Sequence, residues 1–396
     1  MNALFVSGTN LVAATEDYIF LSANDGANWG WVQSNLKVNS VLSLVGSGTN
    51  LFAATFSYGV YLSTDNGTGW TQVSTGLPIL MGDSYWTVRF LAISGSNLFA
   101  GTGKGVFRST NNGTSWTAVD SGLTNTNVSC LVVSGTSLFA GTGGGVFLSS
   151  NNGTNWTPVN SGLTDTIVES FAVSGTNLFA GTASAWEGSQ WRGGGVFRST
   201  NSGARWTTVN TGLPISPTEY LRVQCFLVMD TTLLVSINGN GEGIIGGGVF
   251  RSTDNGTNWT AVNFGLPDTN VMCFAISGSN LFAGTSGAGI WRRPLSEITS
   301  VIETIGGLPS AFSLRQNYPN PFNPTTTIRY TLPYKSRVFL AVYNTLGQKI
   351  KTLVQESQEA GYHEVQFDGS NLASGVFFYR LQAGTYVQTR KLLLLR

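Results

Sequence analysis

The sequence predicts an all-β protein, a seven-bladed β-propeller followed by a C-terminal immunoglobulin-like β-sandwich. Three observations lead to this prediction. An eight-residue pattern, Ser-x-Asp/Asn-x-Gly-x-x-Trp, occurs six times, with its tryptophans at positions 29, 70, 116, 156, 206 and 259. Apolar runs recur with the same period near residues 3, 41, 88, 128, 168, 223 and 271. Glycine accounts for 50 of 396 residues and only 10% of residues are charged, which is typical of short strands joined by tight turns.

Each repeat predicts four antiparallel strands. An apolar run ending in Ser-Gly indicates a buried inner strand, Leu-Phe-Ala-Gly-Thr a second, Gly-Val-Phe-Arg-Ser a third, and the residues after the tryptophan a fourth. The seventh repeat has neither the eight-residue pattern nor a fourth strand with a tryptophan. We expect its ring to be closed by residues 297–304, by a strand preceding Met1, or by a strand from another molecule.

The eight-residue pattern has the chemistry of a hairpin turn. Asn-Gly or Asp-Gly supplies a positive φ, the short polar side chains bond the local backbone, and the tryptophan buries a large ring. The pattern resembles the Asp-box, or BNR-type, repeat of sialidase-like β-propellers. We interpret its acids and amides as turn formers and its tryptophans as anchors. The structural positions are Asn24, Trp29, Asp65, Trp70, Asn111, Trp116, Asn151, Trp156, Asn201, Trp206, Asp254 and Trp259.

Four insertions interrupt the period, at residues 78–87, 183–194, 214–219 and 238–247. In an up-and-down blade, the connections that they lengthen leave the sheet at one end, so we expect them on the rim opposite the turns. Loop aromatics and charges on one face make a candidate binding surface, although the same rings could simply hold long loops in place. The candidate residues are Asp83, Tyr85, Trp86, Trp186, Glu187, Trp191, Arg192, Tyr220 and Glu242.

Residues 298–307 lack the repeat pattern and are predicted to be a linker, which ends the propeller at residue 297. Residues 308–396 alternate β-rich runs with Pro, Gly and Asn turns, which indicates a small antiparallel sandwich. This region contains Asn-Tyr-Pro-Asn-Pro-Phe-Asn-Pro at 317–324, Val-Tyr-Asn-Thr-Leu-Gly-Gln at 342–348 and Leu-Ala-Ser-Gly-Val-Phe-Phe-Tyr at 372–379. It resembles the type A C-terminal sorting domain of type IX secretion. The resemblance implies recognition by that secretion machinery and a secreted or cell-surface location, with an export signal upstream of Met1.

Composition argues against several kinds of partner and site. The formal net charge is +1 and basic residues do not cluster, so we expect no nucleic-acid partner. The sequence contains no run of 18 apolar residues, so we predict no membrane span. The single histidine, His363, lies outside the repeats, so we predict no metal and no cofactor. The three cysteines share a repeat position with small residues in other copies, which predicts buried free thiols; they are Cys130, Cys225 and Cys273.

The sequence favours a non-enzymatic function without deciding it, and we predict no catalytic residue. Arg108, Arg198 and Arg251 occupy one repeat position, which indicates a structural role. We therefore expect an extracellular or cell-surface module that binds or adheres to a glycan or protein, or a structural subunit that forms a homo-oligomer, surface layer or filament by strand exchange. The alternative is a secreted sialidase-like glycoside hydrolase, with Asp83, Glu187, Glu219 and Glu242 as its available acids.

Overall fold

The structure is a computed structural model. It describes residues 1–32, 40–82, 84–187, 190–215, 221–239, 247–263, 266, 268–299, 304–305, 308–309, 311–317 and 320–395. For residues 186–187, 190–192, 299, 304–305 and 308–309 the description covers the backbone alone. The chain divides into two compact units, Met1–Thr299 and Ser300–Arg396.

The first unit is a succession of antiparallel sheets, each built from one repeat in the order inner strand to outer strand. Sheets 1, 2 and 3 are β1–β4, β5–β8 and β11–β14, and β9 and β10 form a hairpin between the second and third. The strands are β1 (Ala3–Ser7), β2 (Asn10–Ala14), β3 (Ile19–Ser22), β4 (Gly30–Trp31), β5 (Val41–Ser47), β6 (Asn50–Thr55), β7 (Val60–Ser63), β8 (Thr71–Gln72), β9 (Ile79–Met81), β10 (Ser84–Tyr85), β11 (Val88–Ser94), β12 (Asn97–Thr102), β13 (Gly105–Ser109) and β14 (Thr117–Ala118).

The remaining sheets of this unit follow the same order. Sheet 4 is β15–β18, and sheet 7 contains three strands among the described residues, β27–β29. Sheet 5 is β19–β22 and sheet 6 is β23–β26, and a pairing of Ala183 in β20 with Arg222 in β23 joins these two into one eight-stranded sheet. The elements are β15 (Val128–Ser134), β16 (Ser137–Thr142), β17 (Gly145–Ser149), β18 (Thr157–Pro158), β19 (Val168–Ser174), β20 (Asn177–Glu187), β21 (Gln190–Ser199), β22 (Thr207–Thr208), β23 (Leu221–Met229), β24 (Thr232–Gly239), β25 (Gly248–Ser252), β26 (Thr260–Ala261), β27 (Val271–Ser277), β28 (Asn280–Thr285), β29 (Ile290–Pro294) and α1 (Leu295–Thr299).

The repeated turn joins the third and fourth strands of its sheet through side-chain hydrogen bonds. Ser63 Oγ donates to Asp65 Oδ1 at 2.7 Å and accepts the Gly67 N–H at 2.8 Å, while Asp65 Oδ1 accepts the Gly69 N–H at 2.8 Å. Asn66, between them, has a φ of 58°. The other five copies make the same three bonds. Asn and Asp serve equally because the accepting atom is an oxygen in both.

Four of the six turn tryptophans hold neighbouring sheets together, whereas Trp70 donates its Nε1–H to the Gly67 carbonyl of its own turn at 3.0 Å. Trp206 is 1% exposed and its Nε1–H donates to the Val159 carbonyl of the preceding sheet at 2.7 Å. Trp116, Trp156 and Trp259 make the equivalent bond, at 2.7 to 2.8 Å. The core of this unit consequently lies between adjacent sheets, where one hydrophobic cluster combines residues of both.

Third-strand arginines add polar bonds between sheets. Arg108 donates to the Asn152 carbonyl at 3.1 Å and Arg198 to the Asn255 carbonyl at 2.9 Å, each in the turn of the next sheet. Arg292 of sheet 7 donates to the Asp25 carbonyl of sheet 1 at 2.8 Å. The last sheet therefore meets the first, and the recurring arginine has a structural contact rather than a place in a ligand site.

The end of this unit differs from the sequence-based expectation. Residues 297–304 were one candidate for a fourth strand of sheet 7, but Leu295–Thr299 form the helix α1, and residues 300–303 lie outside the described set. Arg251 donates to the Ile298 carbonyl at 2.5 Å, so α1 occupies the place that the turn takes in other sheets. Ile298 is 2% exposed within the core of sheets 6 and 7, which extends this unit past the predicted boundary at residue 297.

The second unit contains two antiparallel sheets around one core. One sheet is β32-β33-β36 and the other is β35-β34-β37-β38. Strand β30 lies within the predicted linker, residues 298–307, and it pairs with β31, which directly follows that segment. The strands are β30 (Thr304–Ile305), β31 (Leu308–Pro309), β32 (Ser313–Leu314), β33 (Thr325–Leu332), β34 (Ser336–Tyr343), β35 (Lys349–Gln358), β36 (Gly361–Asp368), β37 (Gly375–Ala383) and β38 (Tyr386–Leu394). Alternate residues of both sheets fill the core, including Ile328, Leu340 and Tyr379.

The Asn- and Pro-rich motif of this unit fixes the last strand. The Asn320 side chain accepts the Leu393 N–H at 2.8 Å, and Phe322 exchanges backbone hydrogen bonds with Leu393 and Leu395. Asn317, which is 1% exposed, donates its backbone N–H to the Tyr379 hydroxyl at 2.7 Å. The motif therefore pairs with the end of β38, whose buried Leu392 and Leu394 complete the core.

Candidate binding rim

One end of the sheets in the first unit carries the connections from second to third strands and from fourth strands to the next inner strand. We call this end the loop-rich rim. Backbone hydrogen bonds link its loops from sheet to sheet: Ser40 donates to the Glu16 carbonyl at 2.7 Å and Phe56 donates to the Ser40 carbonyl at 3.0 Å. Tyr85 then donates to the Ser57 carbonyl at 2.8 Å. The rim of sheets 1 to 3 is thus held in place before any partner arrives.

Only part of the predicted rim site falls within the described residues. Tyr85 is half-buried against the core of sheets 2 and 3, and Trp86 is half-buried, with the Lys104 ammonium 4.7 Å from its ring centroid. Trp86 also packs on Gly103. These two rings hold the loop between sheets 2 and 3 as well as facing the rim.

The other predicted rim residues lie outside what the structure describes. Asp83, Tyr220 and Glu242 are outside it entirely. Trp186, Glu187, Trp191 and Arg192 are described by their backbone alone, as the distal part of the β20–β21 hairpin, in which Trp186 pairs with Trp191. This hairpin extends a connection from second to third strand, so its backbone leaves the sheet at the loop-rich rim. Their role in binding stays a prediction.

An apolar surface that sequence reasoning missed lies beside Tyr85. The hairpin β9–β10 exposes Ile79 (61%), Leu80 (57%) and Met81 (79%), and Phe56 of the adjoining loop is 50% exposed. We call Phe56, Ile79, Leu80 and Met81 the apolar rim patch. A signal for it was present in the sequence, because Ile-Leu-Met stands between Pro78 and Gly82 inside an insertion, where no strand of the repeat requires apolar residues.

A second exposed group lies on sheet 1. Tyr18, 52% exposed, packs edge-on against Trp31 with ring centroids 6.2 Å apart, and Trp31 is 60% exposed. Tyr18 belongs to the loop that reaches Phe56 through the Ser40 hydrogen bonds. Exposed aromatic and aliphatic side chains on loops that are already ordered can bind a partner at little entropic cost.

Charged residues line the rim ends of the inner strands. Arg89 and Glu169 are the extra residues of β-bulges, which turn their side chains away from the regular alternation. Arg89 donates to the Asn127 side chain at 2.8 Å, and Arg222 pairs with Glu169 at 2.9 Å. Arg89, Glu169 and Arg222 were not among the rim residues predicted from the sequence, although each is a charged residue within a mainly apolar inner strand.

The rim carboxylate of Asp268 is held by neighbouring backbone groups. Its burial acts to raise the pKa, but hydrogen bonds from the Asn270 and Gly287 N–H groups outweigh this and lower the pKa below its ordinary value. Such a carboxylate stays ionised and ties the connection after sheet 6 to a loop of sheet 7. Within the described residues no group of three or more His, Cys, Asp and Glu side chains is arranged to hold a metal ion.

The cysteines pack against small residues of the neighbouring strand. Cys130 is buried, lies opposite Gly141 and its thiol reaches the Val168 carbonyl at 3.8 Å, while Cys225 and Cys273 are free thiols in partly buried positions. Burial raises the pKa of Cys273 to about 12 and raises that of Cys130 well above its usual value. Protonated, desolvated thiols of this kind are packing groups rather than nucleophiles.

Two family descriptions match parts of the chain. Residues 93–274 match the DUF6242 beta propeller domain, and residues 316–395 match the secretion system C-terminal sorting domain. No curated protein is significantly similar in sequence. No helix among the described residues is long and apolar enough to cross a membrane.

Solved structures share the fold at low sequence identity. PorZ, described as an essential bacterial surface component of the type-IX secretion system of Porphyromonas gingivalis, is 14% identical with a TM-score of 0.55, over 100% of this chain and 59% of PorZ. A GH74 xyloglucanase from Xanthomonas campestris is 14% identical with a TM-score of 0.56, over 82% of this chain and 56% of that one. YCF48 bound to D1 peptide is 15% identical with a TM-score of 0.52, over 73% of this chain and 91% of that one.

These likenesses concern the fold alone, and the chain spans little more than half the length of PorZ and of the xyloglucanase. The two family matches identify the kinds of domain in the chain. The chain contains a β-propeller domain, and its C-terminal region is a secretion sorting domain that interacts with the secretion machinery. The protein is therefore secreted or displayed on the outer cell surface.

Proposed function

We propose that the protein is an extracellular binding module that presents the loop-rich rim of a seven-bladed, Asp-box-type propeller to an extended polymer. Its C-terminal unit, an immunoglobulin-like sandwich, serves export. The seven repeat sheets and the contact of Arg292 with Asp25 support closure of a seven-bladed ring. The domains are then residues 1–299 for the propeller and 308–396 for the sorting domain, with a short connecting segment between them.

The apolar rim patch is the observation that carries this proposal. Four large apolar side chains stand half or more exposed on loops that are tied by backbone hydrogen bonds. Exposed apolar patches on an ordered surface mark interaction sites more often than chance, because water contact with them is unfavourable. The YCF48 structure adds support, since a protein of similar fold is described there with a bound peptide. A protein segment or a glycan chain is the partner that these exposed apolar side chains suit.

Replacing Ile79, Leu80 and Met81 together by serine is expected to weaken binding at least about tenfold, because each side chain contributes roughly 1 kcal/mol on burial by a partner. The free energy of unfolding should change by less than about 1 kcal/mol, because all three side chains are exposed. The measurement is interferometry with the full chain against a panel of unfolded peptides and soluble polysaccharides that includes xyloglucan.

The matched control changes exposed residues at the opposite end of the sheets, Asn155→Ser with Ala204→Ser, in two of the repeated turns. It should bind as the wild type does. Undiminished binding by the serine variant, or an equal loss in the control, contradicts the proposal. A loss of stability of several kcal/mol in the serine variant would instead assign the hairpin to the core.

A hydrolase is the less favoured alternative. It requires two carboxylates at a defined separation across a bound sugar. Of the rim acids whose contacts are described, Asp268 is held by backbone N–H groups and Glu169 by Arg222. Both are thus engaged in the fold, and the acids suggested by the sequence, Asp83, Glu187, Glu219 and Glu242, lie outside the described side chains.

Self-assembly by strand exchange remains a prediction from the sequence. The C-terminal region, residues 308–396, has 10 basic and 4 acidic residues, while the rest of the chain is net acidic. If assembly depends on this region, the full chain should form large species in sedimentation velocity runs at high concentration and low salt. A chain ending at residue 307 should stay monomeric. A monodisperse full-length monomer under those conditions excludes it.

A further inference from the structure

The second unit has one sheet face with a one-sided charge. In β34, β37 and β38, the inward residues fill the core and the alternate residues point outward, and β35 is placed by its pairing with β34. The cross-strand register places Lys349 beside Tyr343, and Lys391 beside Phe378, across the outward face. We call this surface the basic sheet face; its cations are Arg337, Lys349, Arg380 and Lys391, and its rings are Phe339, Tyr343 and Phe378.

The four cations are exposed, and none forms an ion pair within the described residues. No Asp or Glu occupies an outward position of these strands, since Glu356 lies opposite the inward Val338. Unpaired like charges on one surface repel one another, and the fold gains nothing from them. A surface of this kind is electrostatically complementary to a partner of opposite charge.

The opposite sheet of the same unit has a different surface. There Arg329 pairs with Glu364 at 3.9 Å, and the exposed Asp368 lies on the same strand as Glu364. Charge on that surface is balanced within the unit. Four of the ten basic residues of the C-terminal region therefore lie on the basic sheet face, where no acidic side chain occupies an outward position.

The rings on the basic sheet face argue for a folded protein rather than a glycan or a nucleic acid as the partner. Phe339, Tyr343 and Phe378 are half-buried, and the Lys349 ammonium stands 5.7 Å from the Phe339 centroid. Such rings do not present open faces for sugar or base stacking. Four strands spaced about 4.8 Å apart over seven residues give a flat surface of roughly 300–500 Å². That size suits the smaller, transient class of protein interfaces.

We propose that the basic sheet face is the surface through which the sorting domain docks on an acidic protein surface of the secretion machinery. The inference rests on the sorting-domain match and is independent of any binding at the loop-rich rim. A transient, charge-driven contact fits a cargo that must be captured and then released.

The test compares export of full-length chains in a bacterium that has this secretion system. The variant Arg380→Glu/Lys391→Glu reverses two charges at the centre of the face, and the control Arg205→Glu/Lys335→Glu makes the same charge change at exposed positions elsewhere. We expect the fraction reaching the surface or medium to fall about tenfold for the first and less than twofold for the control. The neutral variant Arg380→Gln/Lys391→Gln should fall in between.

All the changed side chains are exposed, so the variants should melt at nearly the wild-type temperature. Melting curves of the purified full-length variants check that they fold. The proposal is overturned if Arg380→Glu/Lys391→Glu is exported as efficiently as the wild type. It is also overturned if the control loses as much export as this variant does. If that variant is exported normally but no longer binds dextran sulfate or anionic lipid vesicles that the wild type binds, the face serves an anionic polymer and the proposal is also overturned.

Discussion

Replacing Gly212 by alanine is expected to destabilise the first unit by more than about 3 kcal/mol. Gly212 has a φ of +90°, and a Cβ atom there would lie 2.1 Å from the Trp259 carbonyl oxygen of the next sheet. The oxygen belongs to the Trp259 backbone, and the position of the added Cβ is fixed by the Gly212 backbone, so the clash is relieved only if the two sheets move apart. Gly76, Gly122 and Gly162 make the same approach to Trp116, Trp156 and Trp206.

The measurement is denaturant unfolding followed by tryptophan fluorescence. All 11 tryptophans lie in the first unit, so the signal reports that unit alone. The control is Gly175→Ala, in the hairpin of sheet 5, where φ is +58° and no atom lies within 4 Å of the added Cβ. It should cost only the 1–2 kcal/mol of a left-handed alanine. Equal losses in the two variants would mean that the sheets do not approach each other as described.

Replacing Trp206 by alanine is expected to cost about 3–5 kcal/mol, the range for truncating a large buried aromatic ring. Trp206 is 1% exposed, and its loss also leaves the Val159 carbonyl without the Nε1–H donor at 2.7 Å. The same unfolding experiment measures it, with ten tryptophans remaining as probes.

Trp31→Ala is the matched control, because Trp31 is 60% exposed. Its loss should cost less than about 1 kcal/mol. Should Trp206→Ala prove as mild as Trp31→Ala, the turn tryptophans do not hold the sheets together, and the physical account of the repeat is wrong.

The repeated sheets were predictable because each is encoded locally. Every Ser-x-Asp/Asn-x-Gly turn carries its own hydrogen-bonding groups, and the tryptophan that follows needs only the preceding sheet to bury it. Helix α1 was not predictable in this way. Its five residues, Leu-Ser-Glu-Ile-Thr, have little local preference, and its position depends on burial of Ile298 between sheets 6 and 7.

Strand β35 has no strand-like pattern in the sequence. Residues 349–358 are mostly polar and exposed, and two irregularities in its pairing with β34 break the alternation that reveals a strand. Its pairing is supplied by the edge of β34, a tertiary effect that no local pattern records.

The rim site was predictable in location and only partly in content. Insertions indicated which end of the sheets carries long loops, because connection type follows from strand order. The residues predicted for the site in those loops are aromatic or charged, so Ile79, Leu80 and Met81 were not among them. An apolar run ordinarily predicts burial, and only the pairing of β9 with β10 outside the repeat sheets leaves this one exposed.

The most direct test of the proposed function is hydrogen exchange of the full-length chain with and without the polymer that it binds most tightly from the panel. We expect slowed exchange in residues 56–59 and 78–86, where the apolar rim patch and its supporting backbone bonds lie. The repeated turns at 111–115 and 151–155, at the opposite end of the sheets, should exchange unchanged. Protection confined to those turns, or absent from the rim, would contradict binding at the loop-rich rim.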